Sequence, residues 1–195
     1  MRVIALFPVL SAVAAASLCV AGCDSQKPEQ PQPEASAPRP PQGMGKVDVS
    51  HRGEAAPTTP FLRPDGGPVA LSAFRGRPLL VNLWATWCAP CVAEMPTLDR
   101  LAGERAGAFK LLSVSQNMEG RRAVDPFFAK GGFKALEPYL DKENVLMRAL
   151  KADTLPLTVF YDARGREQWR VTGSMDWAGA RARKLLDDTL KTPGI

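Results

Sequence analysis

The chain has 195 residues, enough for one domain with a complete hydrophobic core and an additional segment at one end. Its formal net charge is +5, but the basic residues are interspersed with acidic ones and form no run of the kind that binds nucleic acid, so no nucleic-acid partner is expected. A hydrophobic fraction of 45% with 7% aromatic residues is typical of a globular protein and excludes a wholly disordered chain.

The first 22 residues carry the pattern of an export signal, because Arg2 is the only charge before a stretch of apolar and small residues. This stretch ends in Val20-Ala21-Gly22-Cys23, which resembles a bacterial lipobox, so residues 1–22 are predicted to be a lipoprotein signal peptide. Cys23 would be the lipidated N-terminus, anchored on the periplasmic face of the inner membrane. Two alternatives remain: an uncleaved signal anchor, since about 20 apolar residues can just span a bilayer, and an ordinary cleavage site beside an unmodified cysteine.

Residues 23–56 are predicted to be the lipidated cysteine and a disordered tether. They are rich in Pro, Gln, Glu, Ser and Gly and contain almost no large apolar residue, so they cannot bury enough surface to fold. Such a tether would let the following domain stand off the membrane and search for partners. The folded domain is expected over residues 57–192.

The predicted elements of this domain alternate between strands and helices. They are two short strands within 61–71 around an Asp65-Gly66 turn, a buried strand over 79–84, a helix over 89–101 that contains Pro96, a strand over 109–115, helices over 121–130 and 143–150, a strand over 157–161, its hairpin partner over 167–171 and a helix over 177–190. This order predicts an α/β fold with a central mixed β-sheet flanked by helices.

Of the four cysteines, Cys19 leaves with the predicted signal and Cys23 carries the predicted lipid, which leaves Cys88 and Cys91. Their spacing places both sulfurs on one side of a helix's first turn, close enough to form a disulfide. A permanent bridge across so short a loop would stabilise little, so the pair indicates a reversible two-electron switch. With two sulfurs in the domain and the single His51 outside its predicted bounds, no metal and no cofactor are expected.

The residues around this pair resemble a known family. The run Leu83-Trp84-Ala85-Thr86-Trp87-Cys88-Ala89-Pro90-Cys91-Val92-Ala93-Glu94-Met95-Pro96, the Asp65-Gly66 hairpin, Phe74-Arg75-Gly76 and the Leu155-Pro156 step are similar to the TlpA/ResA group of membrane-anchored, extracytoplasmic thiol-disulfide oxidoreductases. The resemblance covers roughly residues 57–190 and implies a thioredoxin-like fold with an N-terminal β-hairpin. Residues 124–152 fit the insertion that this group carries before the strand that begins after its cis-proline.

Cys88 is the expected attacking thiol, because a helix N-terminus favours the thiolate, and Cys91, one turn further in, is the expected resolving thiol. The resemblance implies that Glu94 lies beside the cysteines and tunes their acidity, so that it could accept the proton of Cys91. The alternative is an ordinary exposed helix glutamate. Thioredoxin proper has a buried aspartate before the motif, whereas this chain has Asn82, which cannot ionise, so the proton-transfer role shifts to Glu94.

Substrate contacts are expected from residues that surround the disulfide in this fold: Trp87, Ala89, Pro90, Leu155 and Pro156. The fold implies that Pro156 is a cis-proline next to the disulfide, which leaves the backbone of Leu155 free to pair with a bound substrate strand. The alternative is a trans proline at a strand start. Trp84 is expected to pack beneath the site and Trp169 to lie in the core.

The predicted function is therefore that of an extracytoplasmic protein disulfide reductase. The family implies clients among apocytochromes or the proteins that assemble the copper site of cytochrome oxidase, and a membrane thiol carrier as electron donor. The Ala89-Pro90 pair resembles the reducing members more than the oxidising ones. The alternatives are a thiol oxidase or isomerase, and a non-catalytic copper-binding or scaffold module on the same fold.

Overall fold

The computed structural model describes residues 45–191. The predicted signal peptide, Cys23 and the tether as far as residue 44 lie outside the described residues. Within residues 45–191, no helix combines the length and the apolar character needed to cross a membrane.

The described residues form an eight-stranded mixed sheet with four α-helices. The strands are β1 (Lys46–Asp48), β2 (Phe61–Leu62), β3 (Pro68–Val69), β4 (Leu79–Trp84), β5 (Lys110–Ser115), β6 (Pro138–Leu140), β7 (Leu157–Tyr161) and β8 (Glu167–Thr172), and the helices are α1 (Ala89–Glu104), α2 (Arg121–Gly131), α3 (Val145–Ala149) and α4 (Ala180–Lys191). The strand order is β1-β8-β7-β4-β5-β6-β2-β3, in which β4, β5 and β6 are parallel and the other neighbours antiparallel.

Strand β4 lies at the centre of this sheet, with every one of its residues buried. It pairs in parallel with β5 and antiparallel with β7, so both of its edges are satisfied. Its side chains alternate between two cores, with Leu80 and Trp84 on the face covered by α1 and Val81 and Leu83 on the other face. The continuous apolar pattern of β4 therefore reflects burial on both faces, as the sequence predicted.

Helix α1 follows β4 directly and covers one face of the sheet. Met95, Leu98 and Leu101 recur at helical spacing and are buried in the same core cluster as Trp84, whereas Pro96 faces solvent. This packing positions the first turn of α1, where the two cysteines lie, at the carboxyl end of β4.

The predicted boundary between tether and domain, after residue 56, is wrong, because the folded domain already includes residues 45–56. Lys46–Asp48 pair antiparallel with β8, and the amide of Gly53 donates to the carbonyl of Glu167 at 2.7 Å. Residues 45–56 therefore belong to the folded domain, and so does His51. Composition could not reveal this, because a polar three-residue edge strand depends on main-chain pairing with β8, which is remote in sequence.

The region between β5 and β7 also differs from the prediction. It contains β6, a three-residue strand parallel to β5 that the sequence did not predict, and α3 is shorter than the predicted helix over 143–150. At the end of the chain, α4 begins at Ala180 and not at Trp177. A three-residue strand is too short to show alternation, which explains why the pattern missed it.

Candidate active site

Cys88 and Cys91 form a disulfide at the start of α1. Cys88 is the N-cap residue, and its sulfur accepts a hydrogen bond from the amide of Cys91 at 3.3 Å. Cys88 retains 7% of its surface exposed, whereas Cys91 has none. Cys88 is therefore the sulfur that a partner can reach first.

The helix terminus provides an electropositive setting for Cys88. Helix α1 has Pro90 as its second residue and no acidic residue in its first turn. No carboxylate there offsets the partial positive charge of the helix dipole. When the disulfide is reduced, this setting favours the thiolate of Cys88 over its thiol.

The loop that leads to Cys88 is held by Asn117, which lies two residues after the end of β5. The amide of Thr86 donates to Oδ1 of Asn117 at 2.9 Å, and Nδ2 of Asn117 donates to the hydroxyl of Thr86 at 2.8 Å. These reciprocal bonds fix the backbone while Trp87, with 68% of its surface exposed, projects beside the disulfide. Trp84 is buried as predicted, and its ring centroid lies 5.0 Å from that of Phe127.

Glu94 is fully buried one helical turn after Cys91, so the alternative of an exposed helix glutamate is wrong. Its carboxylate accepts three hydrogen bonds. Asn82 Nδ2 donates to Oε1 at 2.8 Å, and the amide of Met175 and Nε1 of Trp177 donate to Oε2 at 3.0 and 3.1 Å. We call Asn82, Met175 and Trp177 the donor cradle of Glu94.

Burial raises the pKa of Glu94 to about 7, because removing the carboxylate from water disfavours its charged form. The three bonds of the donor cradle act in the opposite direction, with the Met175 amide the strongest of them. A carboxyl group with a pKa near neutrality can both accept and return a proton at physiological pH, which is the property required of a general acid-base group.

The donor cradle is the part of the site that sequence reasoning missed. The sequence indicates only that Asn82 cannot ionise. In the structure its amide also donates to Oγ1 of Thr158 on β7 at 3.0 Å and so links Glu94 to that strand. The sequence predicts Trp177 in a helix, whereas it lies in the loop before α4. Its indole reaches Glu94 only because the chain returns there after β8. No spacing in the sequence signals either contact.

The predicted substrate-contact residues lie at the same end of the sheet as the disulfide. The Leu155–Pro156 peptide bond is cis, as predicted. Strand β7 begins directly after Pro156 and pairs with the carboxyl end of β4, where Leu157 is opposite Leu83. Pro156 itself is buried and Leu155 half-buried. The remaining three predicted contact residues, Trp87, Ala89 and Pro90, are exposed.

Trp169, which the sequence predicts to lie in the core, is part of β8. Trp169 is buried and its ring stacks on Phe160 at a centroid distance of 5.2 Å, so it lies in the core as predicted. Among residues 45–191, no group of three or more His, Cys, Asp and Glu side chains is arranged to hold a metal ion.

Comparison with known proteins identifies relatives with the same chemistry. A family model described as Redoxin matches residues 51–186. The thiol-disulfide oxidoreductase ResA of Geobacillus kaustophilus is 28% identical over 124 residues, which cover 63% of this chain and 70% of that protein. ResA of Bacillus subtilis is 27% identical over 132 residues, covering 67% and 72%. The thiol:disulfide interchange protein DsbE of Vibrio cholerae is 31% identical over 109 residues, covering 54% and 55%.

Solved structures share the fold. A putative thiol:disulfide interchange protein DsbE from Chlorobium tepidum superposes with a TM-score of 0.63 at 20% identity, covering 71% of this chain and 97% of that one. The exposed lipoprotein thioredoxin of Streptococcus pneumoniae superposes with a TM-score of 0.57 at 21% identity, covering 67% and 98%. The predicted thioredoxin-like α/β fold is thereby confirmed.

Proposed function

The chain belongs to the Redoxin family and is a thioredoxin-like thiol-disulfide oxidoreductase of the TlpA/ResA type, and from this premise we propose that it reduces disulfides in partner proteins. The observation that carries the proposal is the asymmetry of the disulfide at the start of α1. Cys88 reaches the surface beside the exposed Trp87, whereas Cys91 is buried on the same helix as the buried Glu94. One sulfur is placed to meet a partner and the other to complete the exchange.

The reaction begins from the reduced protein. The thiolate of Cys88 attacks one sulfur of the partner's disulfide, which forms a mixed disulfide and releases the other partner sulfur as a thiolate that takes up a proton. Cys91 then loses its proton to Glu94, and its thiolate attacks the sulfur of Cys88. The Cys88–partner bond breaks, the second partner sulfur leaves as a thiolate that takes up a proton, and the Cys88–Cys91 disulfide holds the oxidised state. Two electrons pass from the dithiol to the partner.

A trapping experiment tests this order of events. In a Cys91→Ala variant the second attack cannot occur, so mixed disulfides on Cys88 should accumulate and be released by an added dithiol reductant. A variant that lacks both Cys88 and Cys91 is the matched control, because it retains the rest of the chain and reports any trapping that does not depend on the pair. Equal trapping in the control would contradict the assignment of Cys88 as the attacking residue.

The direction of electron flow is tested separately by the reduction potential of the pair. A value near about −270 mV or lower supports the reductant, whereas a value near about −120 mV would identify an oxidase. The Ala89-Pro90 dipeptide between the cysteines supports the reducing direction through its resemblance to the reducing members of the group.

We place the clients among apocytochromes or the proteins that assemble the copper site of cytochrome oxidase, and the electron donor among membrane thiol carriers. The support is the resemblance to the TlpA/ResA group along the Leu83–Pro96 run. The identities of the partners trapped on Cys88 test this assignment directly, because neither client class would be recovered if the protein served general disulfide exchange.

We further propose that the protein works outside the cytoplasm, lipid-anchored through Cys23. The lipobox-like Val20-Ala21-Gly22-Cys23 ending supports this, and the Streptococcus pneumoniae neighbour is described as an exposed lipoprotein. Labelling of cells with a palmitate precursor should mark the wild-type chain and fail to mark a Cys23→Ala variant. Unchanged labelling in that variant would contradict the anchor.

A further inference from the structure

A concave surface lies at the end of the sheet opposite the disulfide. Strands β4 and β7 are antiparallel, with Leu83 opposite Leu157 and Leu79 opposite Tyr161. Since the carboxyl end of β4 leads to Cys88, the turn after Tyr161 lies at the other end of the sheet, roughly 15 Å away along β7. A cleft of about 720 Å³ opens beside this turn. We call it the arginine cleft, and its charged lining consists of Arg52, Arg75, Arg164, Arg166, Asp162 and Asp188.

The four arginines come from three separate segments of the chain that main-chain hydrogen bonds hold together. These bonds run from the amide of Gly53 to the carbonyl of Glu167 at 2.7 Å, from that of Ala56 to Gly165 at 2.9 Å and from that of Gly76 to Ala163 at 2.7 Å. These main-chain bonds therefore bring the four arginines to the same cleft, and contacts between the arginine side chains are not needed for this.

Two of the guanidinium groups are anchored to backbone carbonyls. Nε of Arg52 donates to Gln168 at 3.1 Å, and Nη1 of Arg166 donates to Gly53 at 3.3 Å. Each such bond uses one of the five N–H donors that an arginine carries. These bonds therefore hold the guanidinium groups of Arg52 and Arg166 in fixed positions on the wall of the cleft.

Arg75 lies against the turn itself. A Cβ atom placed on Gly165 would be 3.2 Å from Nε of Arg75, so the arginine side chain packs over this glycine, whose φ of +75° also suits the turn. Within residues 45–191 the guanidinium of Arg75 has no hydrogen bond or ion pair. Arg164, on the same turn, lies 3.7 Å from Oδ2 of Asp162.

The charges of the cleft do not balance. Four arginines face two aspartates, and one of these, Asp188, already binds Nζ of Lys184 at 2.8 Å. Like charges held together repel one another, so a bound anion would relieve the repulsion. The planar fork of N–H donors on arginine matches the oxygens of a phosphate group, and such charge-assisted bonds are among the stronger ones in proteins.

We propose that the arginine cleft binds a phosphate-bearing anion, either the headgroup of an anionic phospholipid or a soluble phosphate compound. A phosphate group concentrates its negative charge within one tetrahedron that fits a concave cleft, whereas an acidic peptide distributes its carboxylates along a chain. The site is independent of the proposed redox function, because it lies at the opposite end of the sheet. A phospholipid bound here would direct the disulfide away from the membrane surface.

The indole of Trp169 provides a local reporter of binding. It lines the cleft, and its Nε1 donates to the hydroxyl of Thr189, another lining residue, at 2.8 Å. The full-length chain, held in an uncharged detergent, is titrated with pyrophosphate in one arm of the experiment. In the other arm it is titrated with micelles that contain phosphatidylglycerol, with phosphatidylcholine as the uncharged comparison. The nitrogen-proton signal of the Trp169 indole is followed in both arms.

We expect a saturable shift of this signal in at least one arm. Saturation by pyrophosphate identifies a soluble phosphate compound as the ligand, and saturation by phosphatidylglycerol alone identifies a lipid headgroup. The affinity should fall as salt is added. An Arg75→Gln/Arg164→Gln variant should bind at least about tenfold more weakly, because it removes two cationic donors to the phosphate oxygens.

The matched control is Arg100→Gln/Arg183→Gln, which removes the same charge from exposed positions outside the cleft. Equal weakening in both double variants would overturn the proposal, as would the absence of a saturable shift in both arms. A glutamate-rich peptide that binds through Arg75 and Arg164 as tightly as phosphate would also overturn it. Both variants should retain wild-type disulfide exchange in solution, which shows that they are folded.

Discussion

Replacing Trp177 by Phe removes one N–H donor from the donor cradle of Glu94 and retains an aromatic ring, which is smaller than the indole. Nε1 of Trp177 lies 3.1 Å from Oε2 of Glu94, and both side chains are fully buried. The bond stabilises the carboxylate more than the protonated carboxyl group, so its loss favours protonation. We therefore expect the pKa of Glu94 to rise above its wild-type value of about 7.

The size of the effect follows from the strength of such a bond. A hydrogen bond to a charged group contributes about 1.5 kcal/mol at the lower end of its range, which corresponds to roughly a tenfold increase in the proton affinity of Glu94. The Met175 amide and Asn82 remain as donors, so the carboxyl group stays in place and only its titration changes.

The measurement is a carbon-13 titration of the Glu94 side-chain carboxyl in the oxidised protein. A parallel assay measures, as a function of pH, the rate at which Cys91 resolves the mixed disulfide. The pH at which this rate rises should be higher in the variant. Trp169→Phe is the matched control, because it also removes a buried indole N–H, but that group donates to Thr189 and not to Glu94.

An unchanged or lowered pKa of Glu94 in Trp177→Phe would refute the reasoning. An equal rise in Trp169→Phe would do so as well, because it would show that general loosening of the core, and not the lost hydrogen bond, controls the titration.

Three further changes test other parts of the structure. Glu94→Gln should abolish the part of the pH dependence of unfolding that Glu94 causes. Because burial raises the pKa of Glu94 from 4.5 to about 7, its protonated form stabilises the native state below pH 4.5, and this contribution of about 3 kcal/mol is lost as pH rises through 7. An unaltered profile of denaturant unfolding against pH would contradict this. Trp87→Ala should raise the KM for a protein disulfide and leave the KM for a low-molecular-weight disulfide unchanged. Because the side chain is exposed, the free energy of unfolding should change by less than about 0.5 kcal/mol. Equal effects on both substrates would count against a docking role. Glu167→Gln should destabilise the fold by about 3 kcal/mol or more, because it leaves the buried Arg170 without its carboxylate partner. Glu137→Gln, which breaks an exposed pair, should cost at most about 1 kcal/mol. Similar losses in both variants by denaturant titration would refute the distinction.

The local parts of the fold were predictable because their signals lie within short stretches of sequence. β4 shows an apolar run interrupted only by Asn82, and α1 repeats Met95, Leu98 and Leu101 at helical spacing. The elements that the sequence missed, β1 and β6, have three residues each and depend on main-chain pairing with strands remote in sequence. Such pairing leaves no periodic pattern in the strand itself.

The sequence by itself determined the chemistry of this protein, because Cys88-Ala89-Pro90-Cys91 after a buried strand places two thiols at a helix start, whatever surrounds them. Only the tertiary structure decided how that chemistry is controlled. Glu94 lies three residues after Cys91, but its burial and its pKa near 7 depend on Asn82 from β4 and on Met175 and Trp177 from the loop before α4. Desolvation and hydrogen bonding depend on which distant segments pack around a side chain, and that information exists only once the chain has folded.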